Sequence, residues 1–312
     1  MPRVHKPRSG SMQYWPRKRA RREYARIRSW KVVKEAKPLG FAGYKVGMTH
    51  VMGIESKEEC AMPVTIIECP PIKVLGARIY KESSGKRQVI SQINAKVPEK
   101  DVKILGRKIS ISKKEGLEKK IGDFDYVRLL AYTQPKQTGI GKKKPEIFEI
   151  AIGGSKEEQL KFANEHLGKE MRVEDALHDG MFVDIHGVTK GKGLQGPVKR
   201  FGVSKRSHKS EKTIRGPGSL GAWKAQQHMM YRVAHAGQMG YHTRTEANKW
   251  ILRVSSKPEE INRKGGFEHY GVMKNSYLLV KGSVLGPAKR LIRFSRSLRK
   301  TEAKAPLIVS VQ

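Results

Sequence analysis

The sequence predicts a mainly β fold with an inserted α/β region and a long basic extension. Short runs of β-branched and apolar residues, bounded by Gly, Pro or charged residues, recur in both halves of the chain and are typical of antiparallel strands in a sheet or barrel. Residues 76–178 mix such runs with a helical pattern, which predicts an α/β insertion. Residues 187–248 are basic and glycine-rich without a sustained apolar period, and so long an irregular stretch is usually functional.

The first strands of the predicted core follow Pro38. They are FAGYKVG (41–47), THVMGI (49–54), MPVTIIEC (62–69) and IKVLGARIY (72–80), and residues 86–94 predict another strand. The lysine-rich residues 96–120 predict short helices. The pattern then returns to strand in DFDYVRLLAYT (123–133) and EIFEIAIG (146–153).

One helix has a clear beginning and end in the sequence. Ser155-Lys156-Glu157-Glu158 is a capping box, in which the Ser155 hydroxyl accepts from the third helical N–H and Glu158 reaches back. The apolar residues that follow on one helical face are Leu160, Ala163 and Leu167, and Gly168 can end the helix. We predict that this stripe packs on the core.

Strands resume in the second half of the chain and complete the domain organisation. They are MFVDIHGV (181–188), KWILRVS (249–255), NSYLLVKGSV (275–284), KRLIRFS (289–295) and LIVSV (307–311). We therefore expect a basic N-terminal arm (1–37), a β-barrel core (38–75 and 179–312), an inserted α/β domain (76–178), and the basic extension (187–248) within the barrel domain.

The net charge indicates a polyanionic partner. The chain has 64 Lys and Arg against 29 Asp and Glu, a formal net charge of +35 at pH 7. Such an excess repels itself in a compact protein, and nucleic acid is the usual partner that neutralises it. The arm adds ten cations to one acid within residues 1–30 and has no helical or strand period, so we expect it to order on its partner. A flexible tail or a localisation signal is the alternative.

Other features narrow the class of protein. Two cysteines, Cys60 and Cys69, argue against a disulfide scaffold or a zinc module, and they favour a reducing compartment. The N-terminus has no apolar core of a signal peptide, and no stretch reaches 18 consecutive apolar residues. We expect a cytoplasmic protein with no membrane partner.

The segment Gly191–Gly196 matches G-x-G-x-x-G, which raises the question of a nucleotide cofactor. A dinucleotide site needs a helix that opens at the third glycine and an acid about 20 residues on, whereas PVKRFG has no amphipathic period and TIRGPG has no acid. The P-loop pattern also fails, because three residues and not four separate Gly187 from Gly191, and because Gly193 follows Lys192 where Ser or Thr is needed. We expect no cofactor and no small-molecule substrate. An RNA- or nucleotide-acting enzyme that uses this loop is the alternative function.

The loop fits the phosphates of a nucleic acid better. Glycines let a backbone approach a phosphate closely, and Lys and Arg contact phosphates without reading sequence. A solvated flexible loop is the alternative. The residues that we expect to contact RNA are Arg3, Lys6, Arg8, Arg17, Lys18, Arg19, Arg21, Arg22, Lys190, Lys192, Lys199, Arg200, Lys205, Arg206, Lys209, Lys212, Arg215, Trp223, Arg232, His242 and Arg244, with Gly187, Gly191, Gly193 and Gly196 allowing close backbone approach.

Aromatic and potentially catalytic residues complete the extension. Trp223 can stack on an unpaired base or anchor the return of the loop to the core, and its spacing does not separate the two. GPGSLG (216–221) is not a G-x-S-x-G nucleophile elbow. His228, His235 and His242 are seven residues apart without a carboxylate partner, so we expect no catalytic residue and no metal site.

Several segments, in order, resemble the universal large-subunit ribosomal protein L3 family. They are FAGYKVGMTH (41–50), VDIHGVTKGKGLQGPVKRFG (183–202), GPGSLGAW (216–223), AGQMGYHTRTEANK (236–249) and GGFEHYG (265–271), and the opening HKPRSGSMQYWPRKRARR looks like the archaeal and eukaryotic branch. The similarity covers nearly the whole chain and is loosest over residues 81–160. One departure is Ile214, where eukaryotic members carry a methylatable His in a KTHRG context.

The resemblance implies a fold and a function. The fold would be a six-stranded β-barrel of the translation-protein type with an inserted α/β domain. The function would be that of a structural rRNA-binding component of the large ribosomal subunit, which binds near the 3′ end of 23S-type rRNA and helps to start subunit assembly. The tip near Trp223 would approach the peptidyl-transferase centre. Neighbours would be large-subunit proteins fourteen (L14) and twenty-four-e (L24e).

Overall fold

The computed structural model describes residues 11–55, 58–96, 98, 102, 104–105, 124–221, 233–300 and 302–311. The chain divides into two compact units. The smaller unit comprises Met1–Arg22 and Val188–Thr243, and the larger unit comprises Glu23–Gly187 and Arg244–Gln312.

The described residues are mainly β, which confirms the predicted class. The strands are β1 (Gly40–Glu55), β2 (Glu58–Glu68), β3 (Ile72–Ser83), β4 (Lys86–Asn94), β5 (Tyr126–Tyr132), β6 (Ile147–Ala151), β7 (Glu170–Met171), β8 (Phe182–Val188), β9 (Leu194–Gln195), β10 (Gly237–Gln238), β11 (Thr243–Ser255), β12 (Tyr277–Lys281), β13 (Leu291–Arg296) and β14 (Leu307–Val311). The helices are α1 (Lys156–His166) and α2 (Pro197–Phe201), with single 3-10 turns at Pro135–Gln137, Val173–Asp175 and Pro258–Glu260.

Seven strands form the main sheet, in the order β13-β8-β11-β12-β2-β1-β14. β1 pairs in addition with β13, so six of these strands pair in a closed cycle and β14 lies beside the second half of β1. The length of β1 makes this possible, because Gly40–Tyr44 pair with β13 while Val51–Ile54 pair with β14. Buried apolar side chains from every strand of the cycle form the core, among them Phe41, Val64, Ile185, Leu279 and Phe294.

The second sheet has the order β4-β3-β5-β6, with β7 paired to β3. Its strands all lie between β2 and β8 in the sequence. Helix α1 packs on this sheet, where the Gln159 side-chain oxygen accepts a hydrogen bond from the Val127 amide (2.9 Å) and Ala163 is fully buried. The predicted capping box at Ser155 and Glu158 is confirmed, and Gly168 follows the helix with φ of +76°.

Two expectations differ from the structure at the start of the chain. FAGYKVG and THVMGI belong to one strand, because the register shift between Lys45 and Gly47 lets β1 continue through the glycine. The arm was expected to have no strand period and to order only on its partner, yet Ala25 and Ile27 are 2% and 4% exposed. The reason is that buried and exposed residues alternate here, with Arg26 and Arg28 exposed between and after the two buried residues. This short run therefore has one apolar face, which the basic composition of the whole arm conceals.

Contacts of the larger unit hold that part of the arm. The Tyr24 hydroxyl donates to the Ile147 carbonyl (2.7 Å), and the fully buried Arg293 guanidinium donates to the Ala25 carbonyl (2.9 Å). The helices predicted over 96–120 lie almost wholly outside the described residues. No helix in the described part of the chain is both long and apolar enough to cross a membrane.

Candidate nucleic-acid interface

The smaller unit carries a far denser positive charge than the larger unit. Its 78 residues contain 19 Lys and Arg and a single acid, Glu211. The 234 residues of the larger unit contain 45 Lys and Arg and 28 Asp and Glu. About half of the net charge of +35 is therefore concentrated in a quarter of the chain, with almost no acidic side chain to neutralise it internally.

Two antiparallel segments, residues 189–195 and 237–242, form what we call the stalk of the extension. Strands β9 and β10 pair within it. Main-chain bonds continue the ladder, since the Lys192 amide donates to Met239 O (2.9 Å), the Met239 amide to Gly193 O (2.9 Å) and the Thr189 amide to His242 O (3.0 Å). The stalk gives order to a segment in which the sequence shows no period.

Glycines in and near the stalk have different structural reasons. Gly240 has φ of +72°, and a Cβ there would lie 1.9 Å from the Lys190 carbonyl oxygen, so two backbones touch at this point. Gly193 has φ of +66° and Gly196 has ordinary φ, and each has open space where a Cβ would stand. Gly191 would contact the Tyr241 side chain at 3.6 Å. The three predicted positions Gly191, Gly193 and Gly196 are exposed, as close approach to a phosphate requires.

Gly187 requires a correction. It is buried in the larger unit, where a Cβ would lie 2.4 Å from Leu285 Cδ1 and 3.1 Å from Ile292 Cδ1. Its missing side chain therefore serves packing inside the β core, and its backbone is not open to a phosphate.

A short helix also differs from expectation. Residues 197–201 were expected not to be helical, yet α2 spans these five residues. Gly196 is its N-cap, Pro197 occupies the first turn, and Gly202 ends it with φ of +69° and an amide that donates to Val198 O. Pro at the start and Gly at the end suffice to define so short a helix. A helix this short lacks the aligned peptides that a pyrophosphate site uses.

Arg200 follows the first segment of the stalk in the chain and forms hydrogen bonds to the second segment and to the residues just before it. Its Nε donates to the Gln238 carbonyl (3.2 Å), and one terminal nitrogen donates to the His235 carbonyl (2.9 Å). Partial burial, and secondly the charge of Arg17, lower the pKa of its guanidinium. Arg206 acts similarly further out, since it donates to the Pro217 carbonyl (3.0 Å) and its amide donates to Ile214 O (3.0 Å). Two of the predicted RNA-contacting arginines thus have structural bonds as well.

The arm runs beside the stalk within the smaller unit. The Ala20 amide donates to the Tyr241 carbonyl (2.8 Å), and His242 Nδ1 lies 3.1 Å from the Lys18 carbonyl oxygen. The Arg17 guanidinium lies 4.5 Å from the centre of the Trp15 ring and 4.8 Å from that of Phe201. Reasoning from the sequence missed this association because it is made by backbone groups and by cation–π contacts, which leave no periodic pattern.

Most of the residues that were predicted to contact RNA and that the structure describes are cations exposed to solvent. The exposed ones are Lys18, Arg19, Arg21, Arg22, Lys190, Lys192, Lys199, Lys205, Lys209, Lys212 and Arg215. The half-buried ones are Arg17, Arg200, Arg206 and His242 in the smaller unit and Arg244 in the larger unit. Arg3, Lys6, Arg8, Trp223 and Arg232 lie outside the described residues.

The described residues do not bring together a metal site, since no group of three or more His, Cys, Asp or Glu among them could hold an ion. The arrangement that they do form is a glycine-containing stalk with an arm beside it, and both are lined by exposed Lys and Arg. Point charges and backbone amides in such an arrangement are chemically able to bind phosphates.

Comparisons with known proteins point to one family. The model of the family described as Ribosomal protein L3 matches residues 1–308. Proteins named large ribosomal subunit protein uL3 are 44% identical in Methanosphaera stadtmanae, over 96% of this chain and 94% of that protein, and 43% identical in Archaeoglobus fulgidus with the same shares. The uL3 protein of Methanocaldococcus jannaschii is 43% identical over 98% of this chain and 94% of its own length.

Proposed function

The chain belongs to the ribosomal protein L3 family, and from that premise we propose that it binds 23S-type rRNA chiefly through its smaller unit. As a member of that family it is a cytoplasmic protein of the large ribosomal subunit and not an enzyme. The alternative of a nucleotide-acting enzyme built on Gly191–Gly196 is therefore wrong.

The observation that carries the proposal is the charge of the smaller unit. That unit contains nineteen Lys and Arg and one acidic residue, and eleven of its residues that we predict to contact RNA are exposed. Side chains so placed gain little from one another and repel, whereas each phosphate that they neutralise releases condensed counterions from the RNA. This arrangement of cations is therefore stabilised only when a polyanion is bound.

The geometry of the stalk supports the same reading. Gly191, Gly193 and Gly196 leave exposed backbone between Lys190, Lys192 and Lys199. An RNA backbone can approach the main chain closely where no Cβ intervenes, while the long cationic side chains reach phosphates on either side. Such contacts fix the position of the protein on RNA without reading its sequence.

The family resemblance supports finer proposals. We propose that the closed cycle of six strands is the translation-protein-type β-barrel and that the sheet inserted between β2 and β8, with α1, is the α/β domain. In the subunit, the protein would bind near the 3′ end of 23S-type rRNA and help to start assembly. The tip around Trp223 would approach the peptidyl-transferase centre, with proteins L14 and L24e as neighbours.

Salt-dependent binding tests the proposal. Affinity of the purified full chain for 23S-type rRNA should fall by roughly 10³- to 10⁵-fold between 50 and 200 mM salt if six to ten phosphates are neutralised. The triple variant Lys190→Gln, Lys192→Gln, Lys205→Gln should reduce the slope of log affinity against log salt by about 2 to 3.

A matched control keeps the total charge of the variant but moves the change to the larger unit. It replaces the exposed residues Lys161, Lys257 and Lys264 with Gln. This control should retain a slope closer to that of the unmodified protein. Equal slopes in the two triple variants would contradict a binding site in the smaller unit, and weak rRNA binding that ignores salt would end the proposal.

A further inference from the structure

Two aromatic side chains on the arm are exposed where every other described one is covered. Tyr14 and Trp15 are 60% and 56% exposed. The remaining Phe, Tyr and Trp residues in the described part of the chain are buried or half-buried. Large exposed aromatic side chains that adjoin each other mark interaction sites in soluble proteins, because their apolar surface is otherwise left in water.

Contacts of Arg17 fix the position of Trp15 within the smaller unit. The Arg17 guanidinium contacts the Trp15 ring at 4.5 Å, contacts the buried Phe201 ring at 4.8 Å, and donates to the Met12 carbonyl (2.5 Å). The hydrogen bonds at Lys18 and Ala20 then hold the following residues to the stalk. A ring held in this way is presented at little further entropic cost when a ligand arrives.

The surroundings select the kind of ligand. Lys18, Arg19, Arg21 and Arg22 are exposed directly after the aromatic pair, and residues 11–22 contain no acid. Unpaired RNA offers the complementary pattern, with flat bases that stack on aromatic rings and phosphates that pair with cations a few ångströms away. An apolar segment of a partner protein would cover the rings but would bring no phosphates to the exposed cations beside them.

We propose that Trp15, with Tyr14 beside it, is a base-stacking site for an unpaired nucleobase of rRNA. The proposal rests on the proposed function, because the base belongs to the RNA that the smaller unit binds. It assigns to the arm a second kind of contact, in which affinity comes from ring-to-ring stacking in addition to charge.

The test compares full-length variants at Trp15 in binding to 23S-type rRNA. Trp15→Phe keeps an aromatic face, and Trp15→Leu keeps apolar bulk without one. We expect Trp15→Phe to bind nearly as well as the unmodified protein and Trp15→Leu to bind roughly 5- to 150-fold more weakly, at every salt concentration and with an unchanged salt slope. Arg19→Gln is the contrasting control, since loss of one phosphate contact should lower the slope by about 0.7 to 0.9.

Two further measurements separate stacking from anchoring. Hydrogen exchange at the Ala20 amide reports whether the arm remains on the stalk, and we expect Trp15→Leu to leave it protected. Ultraviolet irradiation of the complex, followed by mass spectrometry, should yield a nucleotide attached to the peptide that contains Tyr14 and Trp15.

Distinct outcomes overturn the two proposals. Equal rRNA binding by Trp15→Leu and Trp15→Phe would overturn the stacking site. Weaker binding of Trp15→Leu that is accompanied by lost protection of the Ala20 amide would also overturn it and would make Trp15 an internal anchor. A crosslink absent with rRNA alone, with Tyr14 and Trp15 protected only by other subunit proteins, would assign the surface to a protein partner and overturn it too. If the lysine triple variant has the expected lower salt slope while Trp15→Leu does not differ from the unmodified protein, the proposed function stands and the stacking site alone fails.

Discussion

At the scale of single residues, the smaller unit depends on glycines whose backbone is left-handed. Gly240 and Gly193 both have positive φ, yet they differ in what surrounds them. At Gly240 a Cβ would meet the Lys190 carbonyl oxygen at 1.9 Å, whereas at Gly193 it would meet nothing within 4 Å. The first glycine is needed for contact between two limbs, and the second only for its backbone angle.

This contrast predicts unequal effects of Gly→Ala at the two positions. Gly193→Ala should destabilise the stalk by about 1 kcal/mol, the usual cost of a left-handed residue with a side chain. Gly240→Ala should cost clearly more, about 3 kcal/mol or above, because a backbone must also shift. Hydrogen exchange at the Lys192 and Met239 amides measures both. Equal loss of protection in the two variants would show that the close approach at Gly240 carries no energy.

His186 is a residue whose ionisation affects the stability of the larger unit. Its ring nitrogens lie 2.9 Å from Thr245 Oγ1 and 3.0 Å from Ser295 Oγ. Burial, and secondly the charge of Arg293, lower the pKa of His186 to about 4, while Asp184 acts in the opposite direction.

The sign of the pH effect follows from this depressed pKa. Between pH 6.5 and 4 the unfolded chain binds the proton and the folded chain does not, so stability is full above pH 6.5 and is lost as the pH falls. From pH 7.5 to 5 the loss from this group should be about 2 kcal/mol. Urea unfolding of the unmodified protein and of His186→Gln at both pH values isolates it, because the other titrating groups are common to both. An identical pH dependence in the two proteins would refute the assignment.

At the scale of elements, strands were easier to predict than the irregular segments between them. β4 and β14 have the predicted bounds, residues 86–94 and 307–311, because β-branched runs with clear breakers specify a strand locally. The capping box of α1 is a local signal of the same kind. The stalk was missed, because main-chain bonds between residues about 50 apart create it and no local propensity encodes such bonds. Helix α2 was missed for another reason, since its only signals are Pro197 at its start and Gly202 at its end.

The candidate site shows the same division. Composition located the basic extension and its exposed lysines, since charge density is visible in any window of sequence. It did not separate Arg200, which bonds to the stalk carbonyls, from its exposed neighbour Lys199. It also placed Gly187 with the glycines proposed to bind phosphate, although packing against Leu285 explains that residue.

The neighbours Lys199 and Arg200 provide a prediction at this scale. Arg200→Gln should lower amide protection in β9 and β10, because the carbonyls of His235 and Gln238 lose their charged donor, at a cost of about 2 kcal/mol. Lys199→Gln should leave that protection unchanged and should instead reduce the salt slope of rRNA binding by about 0.7 to 0.9. Amide protection in β9 and β10 and the salt slope of rRNA binding are both measured on each variant, so that the two roles are separated. If Lys199→Gln loosened the stalk, or if Arg200→Gln left it intact, the structural role given to Arg200 would be wrong.

At the scale of the whole molecule, the N-terminal arm serves both units. Residues 11–22 accompany the stalk in the smaller unit, whereas Ala25 and Ile27 are buried in the larger one. Arg293 bonds the larger unit's part of the arm by donating to the Ala25 carbonyl, and it is itself buried. One short segment thus contributes cations to the smaller unit, for which we propose RNA binding, and apolar surface to the β core.

Two truncations should separate these contributions. Removal of residues 1–22 takes away eight cations and should lower the salt slope of rRNA binding by about 3 or more, with the unfolding of the larger unit unchanged. Removal of residues 1–28 should also lower the stability of the larger unit by about 2–4 kcal/mol, because it exposes the surface under Ala25 and Ile27 and leaves Arg293 without one acceptor. Thermal unfolding of both truncated proteins measures the difference. Equal unfolding temperatures would show that the buried residues of the arm contribute nothing.

The pairing of β1 with β13 also determines when this protein can finish folding. Gly40 lies opposite Ser295, so synthesis must reach residue 295 before the cycle of strands can close. Contacts between such distant residues have a large loop-closure cost and form slowly. Until that moment β1 has an open edge on a nascent chain that already carries the basic arm. The timing of translation, as well as the availability of RNA, therefore limits how soon a newly made copy can enter a growing subunit.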